Sequence, residues 1–194
     1  MERLRDPEEA AWMAAMQRGE EDGLARIFEA HYHALLKHVC PLVSDLSTAE
    51  DMVQEVFTQL WLKRENLNIE GKLRPYLKRA VTNRAINHLK RHNRLIFNES
   101  PEMEEPADTP DAEVSNARED ALQRALQQLP EKCRVVFILS RFEALSHKEI
   151  SDSLGVSVKT IENQITKAMK ILRAALNSPT HLSWVGIAVL KFCG

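Results

Sequence analysis

Beginning at Ser157, the chain sets Lys159, Glu162, Asn163, Thr166, Lys167 and Lys170 at spacings that would share one face of a helix, with Ser157 and Thr160 at its start. Ile161, Ile165, Ala168 and Leu172 would form the opposite, apolar side. These outward side chains suit the reading of nucleobases: an amide pairs with adenine, a carboxylate accepts from cytosine, and lysines reach guanine or phosphate. A solvated helix face carries the same residue types, so what precedes it must decide.

Ser146 and Glu149 stand at capping-box spacing and predict the start of a short helix, in which Ile150 and Leu154 face inward. Gly155 permits a tight turn, Val156 packs into the corner, and Ser157 caps the next helix. Short helix, glycine turn and second helix together make a helix-turn-helix, whose second helix lies in the major groove with its N-terminal side chains at base edges.

A second constellation lies upstream. Between Lys72 and Arg94 there is no acidic residue, and Arg74, Lys78, Arg79, Asn83, Asn87, Lys90, Arg91 and Arg94 project away from the stripe Leu77, Ala80, Val81, Ala85 and Leu89. Cations that reach phosphate are thus mixed with amides that read base edges. An ordinary solvated helix interleaves acids with its bases, and this one does not. The formal net charge of -2 hides the segregation, because the stretch from Glu99 to Glu113 carries only acids. Tyr76 on the basic helix reads either as a stacking platform for an unpaired base or as a core residue.

The elements that must position these faces are all helical. Six glycines among 194 residues, abundant Ala, Leu, Glu, Lys and Arg, and no alternating strand pattern give an all-α fold of two small helical domains joined by a flexible acidic linker. Pro7–Gly19 predicts a short helix. Leu24–Val39 predicts another, with Leu24, Ile27, Phe28, His31, Leu35 and Val39 on one face. A third starts at Ser47, which has capping-box spacing to Glu50, and buries Met52, Val53, Val56, Phe57, Leu60 and Trp61; a fourth runs over Leu73–Leu95. The first domain is placed at 7–97. Residues 98–115 hold three prolines, seven acids and almost no large apolar side chain, which cannot offset ordering entropy and reads as the linker. The second domain, with Pro130 opening one of its helices, is placed at 116–176, and a C-terminal tail at 177–194.

Cys40, Cys133 and Cys193 are odd in number and far apart, so neither a disulfide framework nor a zinc knuckle is expected, and a reducing cytoplasm fits. His31, His33 and His38 lack the paired spacing with an acid that a helical metal site requires, and they read as surface histidines. No cofactor, metal or small-molecule substrate is expected, and an enzyme is disfavoured. The charged N-terminus has no signal-peptide core. The apolar stretch Trp184–Phe192 is far shorter than the roughly 20 residues of a spanning helix and reads as a docking tail.

The segment Ala49-Glu50-Asp51-Met52-Val53-Gln54-Glu55-Val56-Phe57, followed by Leu73-Arg74-Pro75-Tyr76-Leu77-Lys78-Arg79-Ala80-Val81-Thr82-Asn83-Arg84, resembles region 2 of the extracytoplasmic-function sigma factors of bacterial RNA polymerase. Leu129-Pro130-Glu131-Lys132-Cys133-Arg134-Val135-Val136-Phe137 and the helix-turn-helix after it resemble their region 4. The resemblance implies a transcription initiation factor whose Asp51, Gln54 and Glu55 grip a basic coiled coil of core polymerase. It further implies that Leu73–Arg94 contacts the promoter element nearer the start site, that the loop Asn68–Lys72 pockets a flipped base, and that Lys159–Lys170 reads the distal element. The apolar side of Ala125–Phe142 would cradle the polymerase flap, and a membrane-bound anti-sigma factor is a further partner the family brings into view. A free-standing helix-turn-helix regulator accounts for Gln128–Leu176 but leaves the Asp51–Glu55 segment and the basic helix unexplained. A structural helical adaptor does not account for the charge segregation.

Overall fold

The computed structural model describes residues 7–43, 45–69, 72–98 and 124–176, with the backbone alone at 92–98 and 176. The expected tail and residues 99–115 of the expected linker lie outside the described residues. Every regular element among the described residues is a helix. The chain divides into two compact units, Met1–His88 and Leu89–Gly194.

In the first unit, α1 (Pro7–Gln17) and α2 (Glu21–Val39) form a hairpin, followed by a 3₁₀ turn at Cys40–Leu42 and α3 (Leu46–Leu62). A second 3₁₀ turn, Arg64–Asn66, then leads toward α4 (Leu73–Asn98), which runs three residues past the Leu95 end expected from its periodicity. Gly19, at φ +87°, turns the chain between α1 and α2. Gly23 lets the two helices meet backbone to backbone: a Cβ there would stand 2.5 Å from the Met16 nitrogen and 2.6 Å from the Trp12 oxygen.

Three apolar stripes close over this hairpin. Ile27, Leu35 and Val39 of α2, Val53, Val56 and Leu60 of α3, and Leu77, Val81 and Ala85 of α4 are buried. Each such side chain, fully buried, contributes about 1.5–3 kcal/mol, alanine less. Several expectations need correction, beginning with the histidines: His38 is half-buried rather than on the surface. His31 is not a surface histidine: it sits on the buried α2 stripe, one turn from both Ile27 and Leu35, with Glu9 of α1 approaching its Nε2 to 3.2 Å. The N-cap of α3 is Asp45, whose carboxylate accepts from the Thr48 amide at 2.7 Å and from its hydroxyl at 2.8 Å, and the helix starts one residue before Ser47.

In the second unit, residues 124–127 are helical, and α5 (Glu131–Arg141), α6 (His147–Leu154) and α7 (Val158–Leu176) follow. Pro130 is the N-cap of α5 rather than its first residue. The run Val135–Leu139 is buried throughout, so α5 is covered on several sides and forms the centre of the unit. Ile150 and Leu154 of α6 and Ile161, Ala168 and Leu172 of α7 pack into the same core.

Candidate functional site

The turn between α6 and α7 is built as its sequence requires. Ser146 Oγ accepts from the Glu149 amide at 3.2 Å, while Glu149 Oε2 takes the Ser146 amide at 2.8 Å and its hydroxyl at 2.6 Å. Those bonds from Ser146, the hydroxyl first, hold the Glu149 carboxyl below its ordinary range. Gly155 ends α6 at φ 70°, ψ 32°, the left-handed region that a Cβ disfavours. Its amide donates to Ser151 O at 2.8 Å, and the Ser151 hydroxyl donates to Val156 O at 2.5 Å, so both sides of the corner are tied. Ser157 Oγ then caps α7, accepting from the Thr160 amide at 3.0 Å.

This corner delivers α7 with its apolar side inward and Lys159, Glu162, Asn163, Thr166, Lys167 and Lys170 exposed; Ser157 is exposed and Thr160 half-buried at the N-terminal end. Lys159 and Glu162 form a loose pair at 3.7 Å, and the Thr166 hydroxyl donates to Glu162 O at 2.8 Å. Asn163 and Lys167, one turn apart, thus stand side by side on the open face. The helix-turn-helix has the geometry that puts such a face against base edges.

Along α4, Arg74, Arg79, Asn83, Asn87, Lys90 and Arg91 are exposed, while the Arg94 side chain lies outside the described residues. Lys78 is half-buried, and its charge is among those felt by His38 of α2. Tyr76 is 39% exposed, which takes it out of the core and leaves its ring at the edge of the basic face. The loop before α4 is only partly described: Ile69 is buried, Asn68 is exposed, and Gln17 Nε2 of α1 donates to Leu67 O at 2.9 Å.

On α3, Asp51, Gln54 and Glu55 all face outward. Glu55 is not alone there. Its Oε1 pairs with Arg84 Nη1 of α4, an ion pair across the two helices that no local pattern in the sequence announces. Beside Gln54 runs a groove between α2 and α3, lined by Leu24, Phe28, Phe57 and Trp61. Phe28, expected on the inner face, is 37% exposed; its ring stacks on Tyr32 at 4.7 Å and meets Phe57 at a tilt at 4.9 Å. Trp61 is covered by the Arg64 guanidinium at 4.4 Å. In the second unit, Ala125, Leu126, Leu129, Cys133, Val136 and Phe137, expected to help cradle a partner, are buried in the core, and Phe142 at 50% exposure is the apolar side chain of that segment left open.

Nothing in these faces resembles a catalytic centre. Burial, then the nearby Glu50, pushes the Cys40 thiol up, the opposite of an activated nucleophile. Among the described residues no cluster of His, Cys, Asp and Glu could hold a metal, and no helix is long and apolar enough to cross a membrane.

The comparisons with known proteins agree with the geometry. Residues 27–95 match the family model described as Sigma-70 region 2, and residues 119–172 the one described as Sigma-70, region 4. RNA polymerase sigma factor NccH of Alcaligenes xylosoxydans xylosoxydans is 27% identical over 184 residues, covering 90% of this chain and 98% of its own. ECF RNA polymerase sigma factor SigW of Bacillus subtilis (strain 168) is 23% identical over 173 residues, covering 83% and 92%. The chain belongs to the extracytoplasmic-function sigma factors. Like its family, this sigma factor binds core RNA polymerase and promoter DNA to direct transcription initiation, and it performs no catalysis of its own. The co-crystal structure of the sigma factor RpoE with the anti-sigma factor NepR from Bartonella quintana aligns at a TM-score of 0.46 and 21% identity, covering 80% of this chain and 97% of that one.

Proposed function

We propose that the three exposed faces divide the work of initiation. Asp51, Gln54 and Glu55 of α3 meet a basic helix of core polymerase. Arg74, Lys78, Arg79, Asn83, Asn87, Lys90, Arg91 and Arg94 of α4 engage the promoter element nearer the start site. Ser157, Lys159, Thr160, Glu162, Asn163, Thr166 and Lys167 read the distal element. In this reading, residues 7–97 act as region 2, 98–115 as a linker, 116–176 as region 4 and 177–194 as a tail, and the factor works in the bacterial cytoplasm. A membrane-bound anti-sigma partner, competing with polymerase for these faces, would set when it acts.

The observation that carries the reading is the separation of exposed charge within one unit. On α3 the exposed charged groups are the acids Asp51 and Glu55, whereas on α4 up to His88 they are the cations Arg74 and Arg79, and the sequence holds no acid from Lys72 to Arg94. One surface suits a basic protein and the other a phosphate backbone.

Replacing Asp51, Gln54 and Glu55 together with alanine tests it. All three are exposed, so helicity by circular dichroism should be retained while core polymerase is no longer retained in a pull-down. Full retention of polymerase would remove α3 as the docking face. Permanganate footprints with and without core polymerase complete the test: opening of promoter DNA is expected only with polymerase, and strong specific footprints from the factor alone would refute the division of labour.

A further inference from the structure

We infer that Arg84 is a DNA-backbone contact held in reserve by Glu55, and that polymerase releases it by taking the Glu55 carboxylate. The inference rests on the proposed docking of polymerase at α3.

Arg84 differs from its neighbours on α4. Among the described residues, Arg79, Lys90 and Arg91 are exposed cations without a carboxylate partner, whereas Arg84 is paired with Glu55 and its side chain is 24% exposed. Arg84 stands three residues before exposed Asn87 and seven before exposed Arg91, but also seven after buried Leu77, so it lies at the border between the outward stripe and the core side of α4. Swung away from α3, its guanidinium would extend that stripe, and its planar fork of donors matches a phosphate.

Glu55, at 59% exposure, is the accessible half of the pair, one turn from exposed Asp51. A basic helix approaching this face competes with Arg84 for the same carboxylate. Exposed ion pairs are close to balanced against solvated ions, so trading one cationic partner for another costs little. The result is a reciprocal coupling: whatever occupies Glu55 strengthens DNA binding through Arg84, and DNA binding through Arg84 strengthens whatever occupies Glu55.

A pair that only clamps α3 to α4 would give losses when cut. The exchange gives gains. Glu55→Gln should bind a labelled random-sequence duplex about threefold more tightly at low salt, with a dependence of log K on log salt steeper by about 0.9, the signature of one added phosphate contact. Arg84→Gln should show no such gain on DNA, but should bind core polymerase about threefold more tightly, because Glu55 is then free. The double variant should lose the DNA gain. All are measured on the full chain, by fluorescence anisotropy, after urea titration shows that each is folded. An unchanged salt slope in Glu55→Gln overturns the proposal through Arg84 even if that variant loses polymerase affinity, which would leave the α3 docking reading intact. A DNA gain with polymerase affinity unmoved in both single variants overturns it through the docking reading instead.

Discussion

His38 Nε2 lies 3.0 Å from Thr82 Oγ1, joining the end of α2 to the middle of α4 beneath the basic face. Thr82 is buried, and the ring is half-buried with Lys78 and Arg74 close enough for their charges to be felt. The helix that carries the exposed cations is therefore seated on a histidine that must stay neutral.

Burial, then the charges of Lys78 and Arg74, pushes the His38 pKa down to about 4 from 6.5. Because the folded value is depressed, the unfolded chain takes up the proton first. Stability from this group is complete above about pH 6.5 and is lost as pH falls toward about 4. Discounted for the ring's partial access to solvent, the loss is about 2 kcal/mol. Urea midpoints measured between about pH 7 and pH 4 should fall accordingly, and His38→Gln should flatten that slope. An equal slope in the variant would assign the acid sensitivity to other groups.

Of the two described glycines of the first unit, Gly23 should be the less replaceable. An alanine Cβ would meet the Met16 nitrogen at 2.5 Å and the Trp12 oxygen at 2.6 Å, both backbone atoms that cannot rotate away. The helices α1 and α2 would have to part, at a cost of about 1–3 kcal/mol or more, as in overpacked cores. Gly19→Ala is a useful contrast, since nothing lies within 4 Å of its Cβ and only the positive φ is strained. Thermal melts should rank Gly23→Ala as the more damaging, and the reverse order would mean that the hairpin is looser than its geometry.

The helix-turn-helix was legible because its chemistry is local. Ser146, Glu149, Gly155 and Ser157 act on backbone groups within a few residues, and each makes the bond its spacing implies. The N-cap of α3 was misplaced because Ser47 has capping-box spacing to Glu50, whereas the residue that caps the helix, Asp45, stands two positions earlier. Asp45 prevails over Ser47 since its carboxylate takes both the amide and the hydroxyl of Thr48. Illegible features depend on partners far along the chain. His31 is met by Glu9 of another helix, and Arg84 by Glu55 across 29 positions of sequence, pairings that no periodicity reveals. The outward residues of α7 and most of α4 followed from the apolar stripe alone, while Lys78 is half-buried because it stands three residues before Val81, four before Thr82 and seven before Ala85, within the buried side of the helix.

Ala144 holds a φ of 53° between α5 and α6, a left-handed conformation that a Cβ disfavours. Glycine relieves the strain but adds freedom to the unfolded chain, and the first effect is the larger at such a position. Ala144→Gly should stabilise the second unit by about 0.5–1 kcal/mol. A lower denaturation midpoint in the variant would show that the alanine methyl packs against a neighbour and compensates for the strain.

The exposed face of α7 should carry sequence preference and that of α4 affinity. Glu162, Asn163 and Lys167 are exposed beyond the Ser157 cap, where a helix in the major groove meets base edges. Truncating any one of these side chains should therefore cost roughly 1–3 kcal/mol of discrimination at a single promoter position. Arg91 is exposed on the acid-free α4, and with the proposed phosphate contact Arg91→Ala should weaken every promoter alike and make the salt slope shallower by about 0.9. Selection of bound sequences from a randomised promoter library by the reconstituted holoenzyme separates the two. Substituting Asn163 should change the recovered distal element and leave the proximal one alone, whereas Arg91→Ala should leave both unchanged at reduced yield. If Asn163 and Arg91 variants recover the same sequences at the same reduced yield, α7 does not read bases and its outward side chains only hold the backbone.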